Sequence, residues 1–163
     1  KPVLGWVARE TPWHSCWSMG KASAILCVPI QRRTNLFSHV MVGVNDLEQS
    51  RKFYDAVLGE LGIPAGVANR NRFFWRGAAG TFAITTPING EPAAVGNGTT
   101  VGFGATSEDL VNRAHAAGVA HGGVTCEDPP GFRGEGPARL YLAYLRDPDG
   151  HKVCLAFRPP KSA

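Results

Sequence analysis

Apolar residues alternate with period two in some segments of the chain and recur every three to four residues in others. Residues 37–44 alternate as a half-buried strand does. In the segment that follows, Phe53, Val57 and Leu61 lie on one helical face and predict an amphipathic helix. A shift of 61 residues reproduces both patterns, beginning with a strand at 100–105. The sequence therefore predicts an internal repeat.

Both predicted helices have start and stop signals. Asn45 and Thr106 stand at the predicted N-caps, each with an acidic residue three positions later, as in a capping box. Gly62 follows the first helix and Gly118 closes the second, as expected for helix C-termini. These signals predict helices of three to four turns that begin directly after each strand.

Three further strand-like segments follow each predicted helix. They lie near residues 66–68, 71–75 and 81–85 in the first half and near 122–125, 139–145 and 152–157 in the second. The repeated order βαβββ predicts an α+β fold with two modules, at about 37–87 and 99–158, and a linker at 88–98. We expect two curled mixed sheets that form an open barrel around a cavity, with a helix outside each. One module alone would expose a sheet face, so the two need each other, within a chain or between chains.

The basic character of the chain is confined to its first 36 residues. The whole chain has a formal charge of +4, and segment 1–36 alone contains five basic residues against one acidic residue, together with three of the four tryptophans. We interpret 1–36 as a basic, Trp-rich N-terminal extension, and 159–163 as a tail. The extension is either an arm for a partner or anionic surface, or an irregular packing segment or non-native sequence. Because the rest of the chain has no net charge, we expect no nucleic-acid partner.

Cysteine spacing and hydropathy limit the class of protein. The four cysteines show no C-x-x-C spacing, and the chain is too long to need a disulfide framework. We therefore expect free thiols and a cytoplasmic location. No apolar run reaches the ~18 residues that a membrane span requires, so no membrane partner is expected.

The most informative short segment is YLRDPDGHKVCLAF, residues 144–157. It predicts two strands joined by a type I turn at Asp-Pro-Asp-Gly. In the second strand Lys152, Cys154 and Ala156 alternate with apolar residues, so Cys154 is expected to face the cavity. The irregular segment 127–137 is predicted to be either a lid or an exposed crossover.

Two segments, FSHVMVGVNDLEQSRKFYDAVLGELGI (37–63) and YLAYLRDPDGHKVCLAF (141–157), carry a family resemblance. Across residues 36–158 the chain resembles the vicinal oxygen chelate superfamily. This superfamily includes glyoxalase I, bleomycin resistance proteins, fosfomycin-resistance transferases and extradiol dioxygenases. The motifs are specific for the fold but not for an activity.

The resemblance implies four positions at which metal-using members place ligands, on the first and last strands of each module. His39 falls on the first position and matches it. The other three are occupied by Thr100, by Ala83 (or Thr85 after a register slip) and by Cys154 in place of the family's Glu. Only His39 is a typical ligand, so no catalytic metal is expected. A divalent Zn, Ni, Mn or Fe ion is the alternative.

The predicted ligand-binding residues are His39, Thr100, Tyr144, Trp75 and Cys154, with His39 and Cys154 as the catalytic candidates. Cys154 is a small cavity-lining residue, a functional thiol or a metal ligand; His39 is a pocket histidine, a substrate contact or a metal ligand. The predicted function is binding of a small organic molecule, in the manner of bleomycin resistance proteins, by a homodimer. The alternatives are a metal- or thiol-dependent lyase, isomerase, transferase or dioxygenase, and an interaction module based on the N-terminal extension.

Overall fold

The computed structural model describes residues 36–160, so the predicted extension and most of the predicted tail lie outside the described residues. Module one contains β1 (His39–Gly43), α1 (Leu47–Glu60), β2 (Val67–Ala68), β3 (Arg72–Gly77) and β4 (Gly80–Thr85). Module two contains β5 (Thr100–Ala105), α2 (Glu108–Ala120), β6 (Val124–Thr125), β7 (Gly131–Arg133), a 3₁₀ turn (Gly136–Ala138), β8 (Leu140–Arg146) and β9 (Lys152–Phe157). None of the helices in residues 36–160 is long and apolar enough to cross a membrane.

Each module forms its own mixed sheet. The strand order is β1-β4-β3-β2 in module one and β5-β9-β8-β6 in module two, where β7 also pairs with β8. The first strand of each module runs parallel to the last, and the remaining pairs are antiparallel. Two separate, open mixed sheets with two helices confirm the predicted α+β fold of paired βαβββ modules.

The hydrophobic core lies on the helix side of both sheets. The helices α1 and α2 pack against each other, and their buried residues join those of both sheets in one cluster. Phe82 on β4 meets Phe103 on β5 edge to face, with ring centroids 5.1 Å apart. Gly118 brings α2 close to the core, since a Cβ at this position would lie 2.5 Å from a Leu145 methyl. Within one chain the modules are therefore joined through their helix sides.

The Asp-Pro-Asp-Gly turn between β8 and β9 anchors module two to module one. The Asp149 carboxylate accepts hydrogen bonds from the Asn45 backbone N–H at 2.7 Å and from the Ser50 hydroxyl at 2.7 Å. Asp147 accepts from the buried Tyr54 hydroxyl at 2.6 Å, and His151 Nε2 donates to a β1 carbonyl at 2.7 Å. The two sequence motifs that define the chain thus bind each other across about 100 residues.

The structure corrects both predicted N-caps by one residue. Asp46, not Asn45, caps α1 and accepts from two backbone N–H groups, because Asn45 is used by Asp149 and by the linker. Ser107, not Thr106, caps α2. The second helix also runs past Gly118, which serves close packing inside α2 rather than termination.

The segment 127–137, predicted as irregular, contains β7 and the start of the 3₁₀ turn. Phe132 on β7 packs edge to face on Tyr141 of β8, at a centroid distance of 5.1 Å. Arg139 stacks over the other side of this pair, 3.9 Å from the Phe132 ring centroid. An additional edge strand therefore extends the sheet of module two where the sequence pattern shows no periodicity.

Candidate functional site

The side of each sheet that faces away from the helices is here called its open face. Cross-strand register arranges the open face of module two in three rows. The first two rows are Thr100–Lys152–Arg146 and Gly102–Cys154–Tyr144. Thr100 and Gly102 are exposed, and a Cβ added at Gly102 would meet nothing within 4 Å. The β5 edge of this face, beside the row that contains the Cys154 thiol and the Tyr144 phenol, is therefore open.

The open face of module one has the same layout with different side chains. Its first two rows are His39–Thr81–Arg76 and Met41–Ala83–Phe74. His39 is exposed, and its Nδ1 is 2.9 Å from the neighbouring serine hydroxyl. Arg76 lies over the Phe74 ring, 5.7 Å from its centroid. Each open face thus has an aromatic ring beside an arginine on the strand that is third in the order of its sheet. The pairs are Phe74 with Arg76 on β3 and Tyr144 with Arg146 on β8.

Arg72 adds an unusual donor to the open face of module one. It lies on β3 in the row next to that of Phe74, and it pairs in register with Thr85. Its Nε is buried and has no hydrogen-bond partner among the described residues. An orphaned charged donor is costly, so this nitrogen is available to a ligand or to a second chain.

The prediction that Trp75 lines the cavity is wrong. Trp75 is 1% exposed and lies on the helix side of β3, where its indole N–H donates to Asp55 of α1 at 2.9 Å. Its ring packs near Tyr54 and Phe82 in the core. The neighbouring Phe74 faces the open side instead, because successive residues of a strand point to opposite faces.

Cys154 is a free, buried thiol in the middle of the open face of module two. Burial raises the pKa of Cys154, and the Glu127 carboxylate adds to the increase, whereas the Tyr144 hydroxyl and Lys152 act in the opposite direction. Burial also raises the pKa of Tyr144, with a further contribution from Cys154. Both shifts favour the protonated form at neutral pH, so the thiolate that nucleophilic catalysis uses is disfavoured at Cys154.

The predicted site residues do not gather at one place within a chain. Thr100, Tyr144 and Cys154 share the open face of module two, and His39 lies on the open face of the other sheet. The two catalytic candidates, His39 and Cys154, therefore belong to different sheets that meet through their opposite sides. A site that used both would have to combine two chains.

Two further polar residues, Lys152 and Arg146, lie on the open face of module two and are not among the predicted site residues. Lys152 follows from the same alternation that places Cys154, and it pairs with Glu127. The sequence favours a solvated edge position for Arg146, with bidentate contact to an anionic ligand as the alternative, and register places it directly opposite Lys152. The predicted hairpin brings the two strands together, and the register in the structure then places these two side chains opposite each other.

The donor set does not fit a metal centre. Of the four positions that the family resemblance implies for ligands, only His39 carries a typical ligand, while Thr100, Ala83 and Cys154 occupy the others. Within residues 36–160 of one chain, no group of three or more His, Cys, Asp or Glu side chains could hold an ion. We derive no metal-dependent step for these residues.

Comparison with known families identifies the fold. The model of the glyoxalase/bleomycin resistance protein/dioxygenase superfamily matches residues 36–155. The chain therefore belongs to this superfamily, as the sequence motifs predict. No functionally curated protein matches the chain.

Solved structures agree with this assignment. The chain is 66% identical to a glyoxalase/bleomycin resistance protein from Albidiferax ferrireducens, with a TM-score of 0.73, over 75% of this chain and 98% of that one. A glyoxalase-related enzyme from Fulvimarina pelagi is 23% identical, with a TM-score of 0.59, over 80% and 94% of the two chains. A glyoxalase/bleomycin resistance protein/dioxygenase family enzyme from Burkholderia phytofirmans is 14% identical, with a TM-score of 0.57, over 75% and 98%. The latter two similarities support the fold alone.

Proposed function

We propose that this protein binds a small organic molecule in a cavity that two copies of the chain enclose, without a catalytic metal. The observation that carries the proposal is the exposure of both open faces in a single chain. His39 and Met41 on the edge strand β1, and Thr100 and Gly102 on the edge strand β5, are all exposed. Apolar and aromatic side chains with a few polar groups are the usual lining of a ligand site.

The proposed assembly is a homodimer in which module one of one chain faces module two of its partner. The first strand of each module lies at an edge of its sheet and pairs on one side only, β1 with β4 and β5 with β9. The two modules of one chain cannot cover each other's open faces, because their helix sides are already packed together. Self-association is a symmetric way to cover exposed sheet faces and strand edges.

Binding, rather than thiol chemistry, is the activity that the site favours. The raised pKa of Cys154 disfavours the thiolate that a thiol-dependent mechanism would use. The absence of a side chain at Gly102 leaves room for a ligand above the sheet of module two, since an added Cβ would meet nothing within 4 Å. Free thiols at Cys126 and Cys154 suit a reducing compartment, and we propose that the protein acts in the cytoplasm.

The test compares two glycine variants. Gly102→Leu would fill the open face of module two, whereas Gly59→Leu adds the same volume on α1, where a Cβ also meets nothing within 4 Å. A library of small aromatic and aliphatic molecules is screened by thermal unfolding, and hits are verified by native mass spectrometry. We expect hits that stabilise the wild type and Gly59→Leu but not Gly102→Leu.

A ligand that still stabilises Gly102→Leu would contradict the proposed location of the cavity. The metal-dependent alternative is tested by elemental analysis of protein purified without chelator, before and after incubation with nickel, zinc, manganese or iron(II). We expect far less than one ion per chain. One tight ion per cavity, lost in His39→Ala, would establish the metal-dependent alternative instead.

A further inference from the structure

We infer that the ligand carries an oxyanion, a carboxylate or a phosphate, that binds in a pocket beside the open face of module two. This inference adds an anionic group to the ligand of the proposed function. It rests on that proposed function for the position of the remaining, apolar part of the ligand. The pocket has a volume of about 320 Å³ and lies between the linker and the first row of this face. It is lined by residues 95–100 together with Arg146 and Lys152. This volume is at the lower end of the range for small-molecule sites.

The charges of the pocket have one sign. Arg146 and Lys152 are its only charged lining residues, and they are direct cross-strand partners in the β8–β9 ladder. Like charges directly opposite each other destabilise a sheet. An anion that lies between the two side chains would turn this repulsion into two attractive contacts.

The single carboxylate that contacts these cations leaves one of them uncompensated. Glu127 pairs with Lys152 but does not line the pocket. Arg146 donates to the Gly150 carbonyl oxygen at 2.7 Å and forms no ion pair with a carboxylate of residues 36–160. Its remaining N–H groups can bind a carboxylate or phosphate in the bidentate geometry that guanidinium favours.

The other walls of the pocket supply neutral polar groups and little bulk. Thr99 and Thr100 contribute hydroxyl groups, and a tight turn closed by the Thr99 N–H to the Gly96 carbonyl at 3.2 Å forms the opposite wall. Gly98 has a φ of +84° in this turn, a conformation that glycine adopts without strain. The linker thereby brings small residues and main chain close to the two cations.

The surroundings of the pocket indicate the rest of the ligand. The second row of the open face, with Tyr144 and Cys154, lies directly beside the cationic row. Lys152 lies over the Tyr144 ring, with its nitrogen 4.7 Å from the ring centroid, and so links the two rows. A ligand with an oxyanion at one end and an apolar or aromatic body at the other would occupy both.

The experiment uses four simple probes on the full chain: phenyl phosphate, benzoate, inorganic phosphate and phenol. Binding is measured by isothermal titration calorimetry at low salt, because screening weakens contacts with exposed charges. We expect phenyl phosphate or benzoate to bind more tightly than phenol. Arg146→Gln and Lys152→Gln should each weaken the anion by about tenfold or more, since each removes a charge-assisted hydrogen bond.

Two variants keep the test specific. Lys52→Gln removes the same charge from the exposed surface of α1 and should leave the affinity for the anion unchanged. Arg146→Lys keeps the charge but loses the bidentate fork, and should retain part of the affinity. Thermal unfolding of Arg146→Gln checks that the variant remains folded, because it loses the hydrogen bond to the Gly150 carbonyl while it relieves a like-charge pair.

Several results would overturn the inference. These are the absence of anion binding, equal anion binding by wild type and Arg146→Gln, and phenol binding as tight as that of phenyl phosphate. In the last case, loss of phenol binding in Gly102→Leu would still support the proposed cavity. Anion binding that depends on Arg146 and persists in Gly102→Leu would establish the pocket and count against the cavity as the site of the ligand's body.

Discussion

At the scale of single residues, the contact that distinguishes this core is the hydrogen bond from Tyr54 to Asp147. Both side chains are buried, with exposed fractions of 0% and 3%, and the oxygens are 2.6 Å apart. Burial raises the pKa of Asp147, whereas the hydrogen bond from Tyr54 lowers it. The carboxylate therefore depends on the phenol to remain charged in the core.

We predict that Tyr54→Phe lowers the free energy of unfolding by about 1.5–3 kcal/mol at pH 7, the usual worth of a hydrogen bond to a charged group. Without the phenol the folded-state pKa of Asp147 rises further above its unfolded value. The folded state then binds more protons in the pH range just above the ordinary carboxyl pKa, so stability falls as pH rises through this range. The loss should consequently be smaller in acid, where Asp147 is protonated in both states.

Urea unfolding of the wild type and Tyr54→Phe at pH 7 and in acid measures this loss of stability and its dependence on pH. Tyr141→Phe is the matched control, because the Tyr141 hydroxyl donates to Asn112 at 3.1 Å on the exposed surface. Its removal should change the stability by less than about 0.5 kcal/mol. Equal losses in the two variants would show that the buried pair has no special importance.

At the scale of elements, glycines at two helix positions have opposite consequences. A Cβ at Gly118 of α2 would lie 2.5 Å from Leu145, 3.0 Å from Val57 and 3.2 Å from Phe53. A Cβ at Gly59 of α1 would meet nothing within 4 Å. The same substitution thus probes packing at one site and helix propensity at the other.

We predict that Gly118→Ala destabilises the fold by a net of about 1–2 kcal/mol, because overpacking the interface between α2 and the core outweighs the gain in helix propensity. Gly59→Ala should stabilise it by about 0.5 kcal/mol, since only propensity changes. Thermal and urea unfolding measure both variants. A stabilised Gly118→Ala would mean that α2 can move away from the sheet without cost.

The elements also show what the sequence could predict. The order of strands and helices, except for the additional strand β7, and the face on which Cys154 lies follow from the sequence pattern, and the structure has both. The caps at Asp46 and Ser107 do not follow, because each stands beside a residue that is an equally good cap former. Trp75 lies in an unbroken apolar segment without alternation, and its contact with Asp55 on another element decides its face.

The open faces show the same limit for the candidate site. Sequence alternation places Thr100, Tyr144 and Cys154 toward one side of the sheet, in agreement with the register of the strands. The Asp-Pro-Asp-Gly turn predicts that β8 and β9 pair as a hairpin, but alternation alone does not set the register that places Arg146 opposite Lys152. Nor can it show that the modules of one chain meet through their helix sides.

At the scale of the whole molecule, the arrangement of the two modules determines where a binding site can be complete. The open faces of module one and module two lie on the sides that the common core does not use. In the proposed dimer each cavity combines module one of one chain with module two of the other. Defects in different modules should therefore complement each other between chains, which a site within one chain would not allow.

We predict such complementation for Phe74→Ala, which alters module one, and Gly102→Leu, which fills the open face of module two. Each homodimer has two defective sites and should not bind a molecule that the wild-type protein binds. A heterodimer of the two variants has one site with both defects and one with none. After unfolding and refolding of an equal mixture, about a quarter of the sites should be intact.

Native mass spectrometry distinguishes the heterodimer by mass. One ligand bound to the heterodimer, with none on either homodimer, is the expected result. Ligand on none of the three species would contradict the exchanged arrangement, because both faces of a site would then come from the same chain.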